Sequence, residues 1–124
     1  MANILVTDDS SFLRRIACRI LIAAGHQTTE ASHGLECLGM VENNKPDVLF
    51  LDLVMPEMDG FAVLKQLREQ GHTFPIIILT ADIQESVKKE CMQLGASAFI
   101  NKPPKEDELL NTLNTALESQ EASQ

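Results

Sequence analysis

Two hydrophobic periods alternate along this chain. Ile4, Leu5 and Val6 form one short apolar run. Val48 to Leu51, Ile76 to Leu79, and Ala98 to Ile100 form three more. Runs this short, with no polar alternation, read as strands covered on both faces. Residues 27–31 are more polar and read as a strand nearer a sheet edge. Between these runs the period changes to 3.6. Leu13, Ile16, Ala17, Ile20 and Ala24 make the inward stripe of a helix over residues 12–24. Leu35, Leu38 and Val41 do so over 34–43, and Phe61, Leu64 and Leu67 over 61–70. A fourth helix is predicted over 84–94. A fifth over 106–118 carries Leu109, Leu110, Leu113 and Leu117.

The punctuation agrees with this division. Asp9 or Ser10 can cap the first helix. Gly25, Gly71 and Gly95 are placed to end helices. Asn43, Asn44, Lys45 and Pro46 break the second helix. Pro56 and the Asp59, Gly60 turn stop the third strand. Strands and helices alternate, and the connections are short. That pattern predicts an α/β fold: one parallel sheet with helices on both faces. The expectation is a single domain over residues 1–124, with an ordered core at 3–118 and a frayed tail at 119–124. Right-handed crossovers leave few strand orders. A doubly wound order with one switch point is expected.

Composition narrows the function classes. The 124 residues suit one domain with its own core, 44% are hydrophobic, and the net charge is −8. That charge speaks against non-specific nucleic-acid binding. No apolar run approaches the roughly 20 residues that span a bilayer. No signal peptide is visible at the start, so a cytoplasmic location is expected. Cys18, Cys37 and Cys91 are odd in number and far apart, which suits buried thiols in a reducing compartment rather than disulfides or a metal cluster. His26, His33 and His72 follow helix ends or turns and receive no catalytic role. Met55, Met58 and Met92 read as gap-filling side chains.

The candidate chemistry lies where strands end. Asp8 and Asp9 end the first strand, Asp52 the third, Thr80 the fourth and Lys102 the fifth. A parallel sheet brings these ends to one edge, where ligands of open α/β sheets bind. One aspartate at a strand end is ordinarily a cap or loop residue. The whole set is harder to assign to capping. Three carboxylates in one place resist ionisation unless a cation compensates. A divalent ion such as Mg²⁺ and an ammonium would do so. The grouping suggests phosphate chemistry with one carboxylate as nucleophile. Thr80 offers a hydroxyl, and Lys102 a point charge, to a phosphoryl oxygen.

These residues carry a family resemblance over about residues 3 to 118. The pair Asp8 and Asp9, Asp52 followed by Met55, Pro56, Asp59 and Gly60, then Thr80 and Ala81, then Lys102 and Pro103, resemble a response-regulator receiver domain, the CheY-like phosphoacceptor of two-component signalling. The resemblance implies the flavodoxin-like strand order 2-1-3-4-5. It implies that Asp52 accepts a phosphoryl group from a histidine kinase or phosphotransfer protein. Mg²⁺ would be held by Asp8, Asp9, Asp52 and the backbone carbonyl of Val54. Thr80 would hydrogen-bond the phosphoryl group and Lys102 would pair with it. Thr80 would move on phosphorylation, and Phe99 would turn into the space vacated. Phe99 lacks the hydroxyl of the tyrosine often found there, so no output can read that hydroxyl. The Lys102–Pro103 bond is expected to be cis, and Pro104 to stiffen entry to the last helix. Val54 and Asp82 flank the site and would tune hydrolysis, with intermediate to slow self-dephosphorylation expected.

The resemblance also implies a signalling protein that assists its own phosphorylation, rather than an enzyme, with no output domain in this chain and a protein target downstream. The output surface would be the fourth helix, fifth strand and fifth helix, near Lys88, Lys89 and Phe99. Phe12 and Ile22 lie off the first helix's inward stripe, beside Arg15 and Arg19, and suit a partner-docking surface. A phosphorelay intermediate that passes phosphate to a histidine is an open alternative. An aspartyl-nucleophile phosphohydrolase is a rival, but it would resemble Asp-x-Asp-x-Thr at the nucleophile, and the second Asp is missing after Asp52. A flavin module would meet repulsion from Asp8 and Asp9. No Gly-x-x-x-x-Gly-Lys loop supports nucleotide hydrolysis.

Overall fold

In the computed structural model, residues 1–55, 58–82 and 84–122 are described, with side chains to residue 120. Pro56, expected to stop a strand, and the end of the expected tail lie outside the described residues. The chain runs β1 (Asn3–Thr7), α1 (Ser11–Ala23), β2 (Gln27–Ala31), α2 (Gly34–Asn43), β3 (Val48–Leu51), α3 (Gly60–Glu69), β4 (Ile76–Thr80), α4 (Glu85–Gln93), β5 (Ala98–Asn101) and α5 (Glu106–Ala122). All strand pairs are parallel, in the order β2-β1-β3-β4-β5. The order reverses direction at β1, so the switch point lies between β1 and β3.

Side-chain alternation along each strand feeds two cores. Leu5, Leu49, Leu51, Ile76 and Ile78 face Cys37 and Val41 of α2, Val63, Leu64 and Leu67 of α3, and Cys91 of α4. Ile4, Val6, Val48, Phe50, Ile77 and Leu79 face Ala17, Cys18 and Leu21 of α1 and Leu109, Leu113 and Ala116 of α5. β3 and β4 are buried along their whole length, as their apolar runs require. β2, a sheet edge, is mostly exposed. All three cysteines are free and buried. Among the described residues no helix is long and apolar enough to cross a membrane.

Helix ends follow the local chemistry. Ser10 caps α1 by accepting from Leu13 N, and Asp59 caps α3 by accepting from Ala62 N. Gly25, Gly71 and Gly95 all take positive φ just past helix ends, where a β-carbon would be strained. Some expectations shift. Leu35 is exposed, because α2 buries Gly34, Cys37 and Val41 instead. Ala24 is also exposed, at the C-cap of α1, whose buried stripe is Ala17, Cys18 and Leu21. α5 continues past the expected end at Glu118, through to Ala122. His26 and His33 do structural work: His26 Nδ1 accepts from Ala2 N, and His33 Nδ1 accepts from Glu36 N at the start of α2.

Candidate functional site

The sheet's ladder bonds continue one residue past three strand ends, and each extra bond fixes a polar residue. Asp8 N donates to Ala31 O, Asp52 N to Thr7 O, and Lys102 N to Thr80 O. Alternation then decides which way the side chains go. Val6, Phe50 and Ile100 point toward α1 and α5. Two residues further on, Asp8, Asp52 and Lys102 share that side of the sheet rim. They meet there: Lys102 Nζ lies 2.5 Å from Asp8 Oδ2 and 3.2 Å from Asp52 Oδ2. Asp8 and Asp52 are buried, at 2% and 4% exposure. Asp9 is exposed, yet it offers a carboxylate oxygen to the same place. Oxygens of Asp8, Asp9 and Asp52 all lie within 4.8 Å of one another.

Electrostatics at this rim are unbalanced. Three carboxylates and one ammonium leave a formal charge of two negatives. Asp52 is pushed from its ordinary 3.8 up to about 6, first by burial; Lys102 works against the shift and Asp8 adds to it. The donor set is all oxygen, and its residual charge equals that of one divalent cation. The residues therefore fit Mg²⁺, which is held by few carboxylates and keeps part of its water.

Thr80 is buried on the opposite side of the sheet from Lys102, and its Oγ1 accepts from Asp82 N at 3.3 Å. Asp82 Oδ1 in turn accepts from Gln84 N at 3.0 Å. The Asp82 carboxylate is thus tied to the chain entering α4. Phe99 is half-buried against the α2–α3–α4 core. It is the registered neighbour of Ile78, so it shares a sheet face with Thr80 two residues on. Val54 is 71% exposed, and its backbone N–H favours the ionised Asp52 carboxylate, against the larger effect of burial. The Lys102–Pro103 bond is cis, as expected. Leu53, Val54, Met55, Asp59, Phe61, Asp82 and Val87 line a recess of about 230 Å³ beside Asp52.

Arg14 has no sequence signal, and Gly60 reads in sequence only as part of a turn and motif, without its contact to Asp52. Arg14 of α1 donates from Nη1 to Asp8 O and from Nε to Glu30 Oε1 on β2. Gly60, the first residue of α3, packs against the Asp52 backbone so closely that a β-carbon there would overlap the Asp52 carbonyl oxygen. On α1, Phe12 and Ile22 are exposed as expected, and Arg15, Arg19, Ile22, Thr28 and Glu30 line a groove of about 430 Å³ toward β2.

The family model of the response regulator receiver domain matches residues 4–114. Protein PilH of Pseudomonas aeruginosa is 36% identical over 119 residues, covering 94% of this chain and 98% of PilH. The response regulator MprA of Mycobacterium sp. (strain KMS) is 37% identical over 115 residues, covering 93% of this chain. The chain spans only 50% of the length of MprA. Among solved structures, the Vibrio cholerae chemotaxis protein CheY4 aligns with a TM-score of 0.89 at 34% identity, over 94% of this chain and 99% of CheY4. The receiver domain of the Francisella response regulator 1452 aligns with a TM-score of 0.92 at 32% identity, over 97% of this chain and 99% of that one. A doubly wound sheet in the order 2-1-3-4-5, an acidic trio at its switch-point rim and a family match across most of the sequence lead to one conclusion: the chain belongs to the response regulator receiver domains of two-component signalling.

Proposed function

We propose that this chain is a stand-alone receiver in the cytoplasm that accepts a phosphoryl group on Asp52 from a histidine kinase or phosphotransfer protein. The observation that carries this is the meeting of Asp8, Asp9 and Asp52 with Lys102 at one rim. An Asp52 carboxylate oxygen attacks phosphorus, the donor's P–N bond breaks, and the leaving imidazole nitrogen keeps the electron pair. Asp8, Asp9, Asp52 and the Val54 carbonyl would hold Mg²⁺. When bound, Mg²⁺ supplies positive charge that offsets the crowded carboxylates and the phosphoryl oxygens. Lys102 pairs with the phosphoryl group. The Thr80 oxygen already accepts from Asp82 N, so its O–H is left to donate to a phosphoryl oxygen.

The output follows from the sheet face that Thr80 and Phe99 share. When Thr80 moves toward the phosphoryl group, the Phe99 ring turns inward and the surface of α4, β5 and α5 changes for a downstream protein. α4 suits this role: Cys91 is its one buried residue, and its N-cap Gln84 makes no side-chain cap bond. Asp82 is held by its own loop, and Val54 has no polar side chain to orient water, which supports intermediate to slow loss of phosphate.

Incubating wild-type and Asp52→Asn protein with Mg²⁺ and acetyl phosphate tests the assignment. A phosphoryl adduct on wild type alone is expected, read by intact mass. Equal adduct on both proteins would remove Asp52 from the acceptor role.

A further inference from the structure

We propose that Arg14 is a positioning residue for the metal site: it fixes the peptide plane on which Asp9 hangs, and so sets that carboxylate for Mg²⁺. The inference rests on the acidic rim being a magnesium site. It starts from how completely Asp8 is held. Its N–H donates to Ala31 O, its Oδ1 accepts from Ser10 N at 2.9 Å, and its Oδ2 faces Lys102. Its carbonyl oxygen accepts from Arg14 Nη1 at 2.6 Å, a short charge-assisted bond. That carbonyl belongs to the planar unit joining Asp8 to Asp9. Fixing the oxygen fixes the plane, and with it the Cα of Asp9.

Asp9 needs such a device. Its side chain is exposed, and no hydrogen bond or ion pair to its carboxylate is present among the described residues. Asp8 and Asp52 are held by burial and by Lys102; Asp9 is aimed only through its backbone.

The geometry of Arg14 suits the task. Its Nε donates to Glu30 Oε1 at 3.0 Å, so the planar guanidinium is gripped from α1 across to β2. The Arg14 side chain is 15% exposed against 48% for Glu30. Glu30 also offsets the positive charge that Arg14 brings close to a cation site. A pair this exposed on the carboxylate side contributes little stability by itself. Its value lies in orienting the fork.

Charge and geometry make opposite demands, and this decides the test. Were Arg14 only a nearby cation, its removal would strengthen Mg²⁺ binding. As a positioning residue, its removal weakens it. Mg²⁺ alone is titrated calorimetrically into wild type, Arg14→Ala and Arg14→Lys, with no phosphodonor present. Arg14→Ala is expected to bind about ten-fold more weakly, the usual effect of removing a group that orients a metal ligand. The deficit should persist in about 0.5 M KCl, where charge effects are screened. Arg14→Lys should also bind more weakly, since an ammonium cannot reproduce the fork. Equal or tighter binding by Arg14→Ala overturns the proposal. Where that variant does not fold, Arg14→Lys carries the test, and wild-type affinity in it overturns the proposal. Absence of Mg²⁺ binding by wild type overturns the ion site itself and the inference with it.

Discussion

Lys102 stands closer to Asp8 than to Asp52: its Nζ lies 2.5 Å from Asp8 Oδ2 and 3.2 Å from Asp52 Oδ2. The ammonium therefore does two jobs. It neutralises a carboxylate of the proposed ion site, and it waits beside the proposed phosphoryl acceptor.

That sharing predicts the behaviour of Lys102→Met. The variant leaves two buried carboxylates without their cation, a defect worth about 3 kcal/mol. Added Mg²⁺ should restore more stability to the variant than it gives wild type, because the ion then replaces the cation that Asp8 and Asp52 have lost. Urea unfolding with and without Mg²⁺ measures both. An identical Mg²⁺ effect on the two proteins would contradict the shared-cation account.

Asp52 gives the pH dependence. Its carboxyl is raised from 3.8 to about 6, so between those values the folded chain holds a proton that the unfolded chain has released. The resulting stability is fully present below pH 3.8 and is lost as pH rises through about 6. Asn mimics the protonated form. Asp52→Asn should thus stabilise the metal-free protein at pH 8, by about 3 kcal/mol, and hardly at all at pH 4. Mg²⁺ binding by wild type should weaken as pH drops below about 6. Thermal unfolding across this range in chelator checks the first statement; a difference that does not change with pH would refute it.

The strand-end chemistry was legible in sequence for a simple reason. Parallel strands all end at one edge, so Asp8, Asp52, Thr80 and Lys102 could be gathered without knowing the strand order. Helix faces were harder. Leu35 fits an apolar stripe, but α2 is rotated so that Gly34 and Cys37 face the core. A Cβ at Gly34 would meet the Met58 backbone, so α2 packs here through a residue that no hydrophobicity pattern selects. Arg14 was invisible as a site residue because its key partner is a backbone carbonyl, and Glu30 lies on another element. Spacing carries no trace of such contacts.

Arg68 illustrates the same blind spot at the other end of the sheet. Its Nε donates to Gly95 O, and its Nη1 donates to His72 O and Phe74 O. It ties the C-terminus of α3 to the entry of β4 and to the turn after α4. Burial lowers its pKa, but the guanidinium stays charged. Arg68→Ala leaves three carbonyls to find other partners and should cost about 2 kcal/mol, measured by urea unfolding. Protection of the Ala96 amide, which donates to Cys91 O across that turn, should fall with it in hydrogen exchange. Unchanged protection would show that the turn does not depend on Arg68.

Gly60 joins the helix scaffold to the acceptor directly. Its N–H donates to Leu53 O at 2.9 Å, and a β-carbon on it would sit 2.7 Å from Leu53 Cα and overlap the Asp52 carbonyl oxygen. The obstruction is backbone, which cannot swing aside as a long side chain can. Gly60→Ala must therefore push α3 away from the end of β3 or push Asp52 out of place. Overpacking of this kind costs about 1–3 kcal/mol. A displaced Asp52 would also lose its approach to Lys102 and Asp8. The variant should fold with a lowered unfolding midpoint and acquire the phosphoryl adduct from acetyl phosphate at least several-fold more slowly, because productive geometry tolerates little misplacement. Reduced stability with a wild-type rate of adduct formation would show that α3 yields and the acceptor stays where β3 puts it.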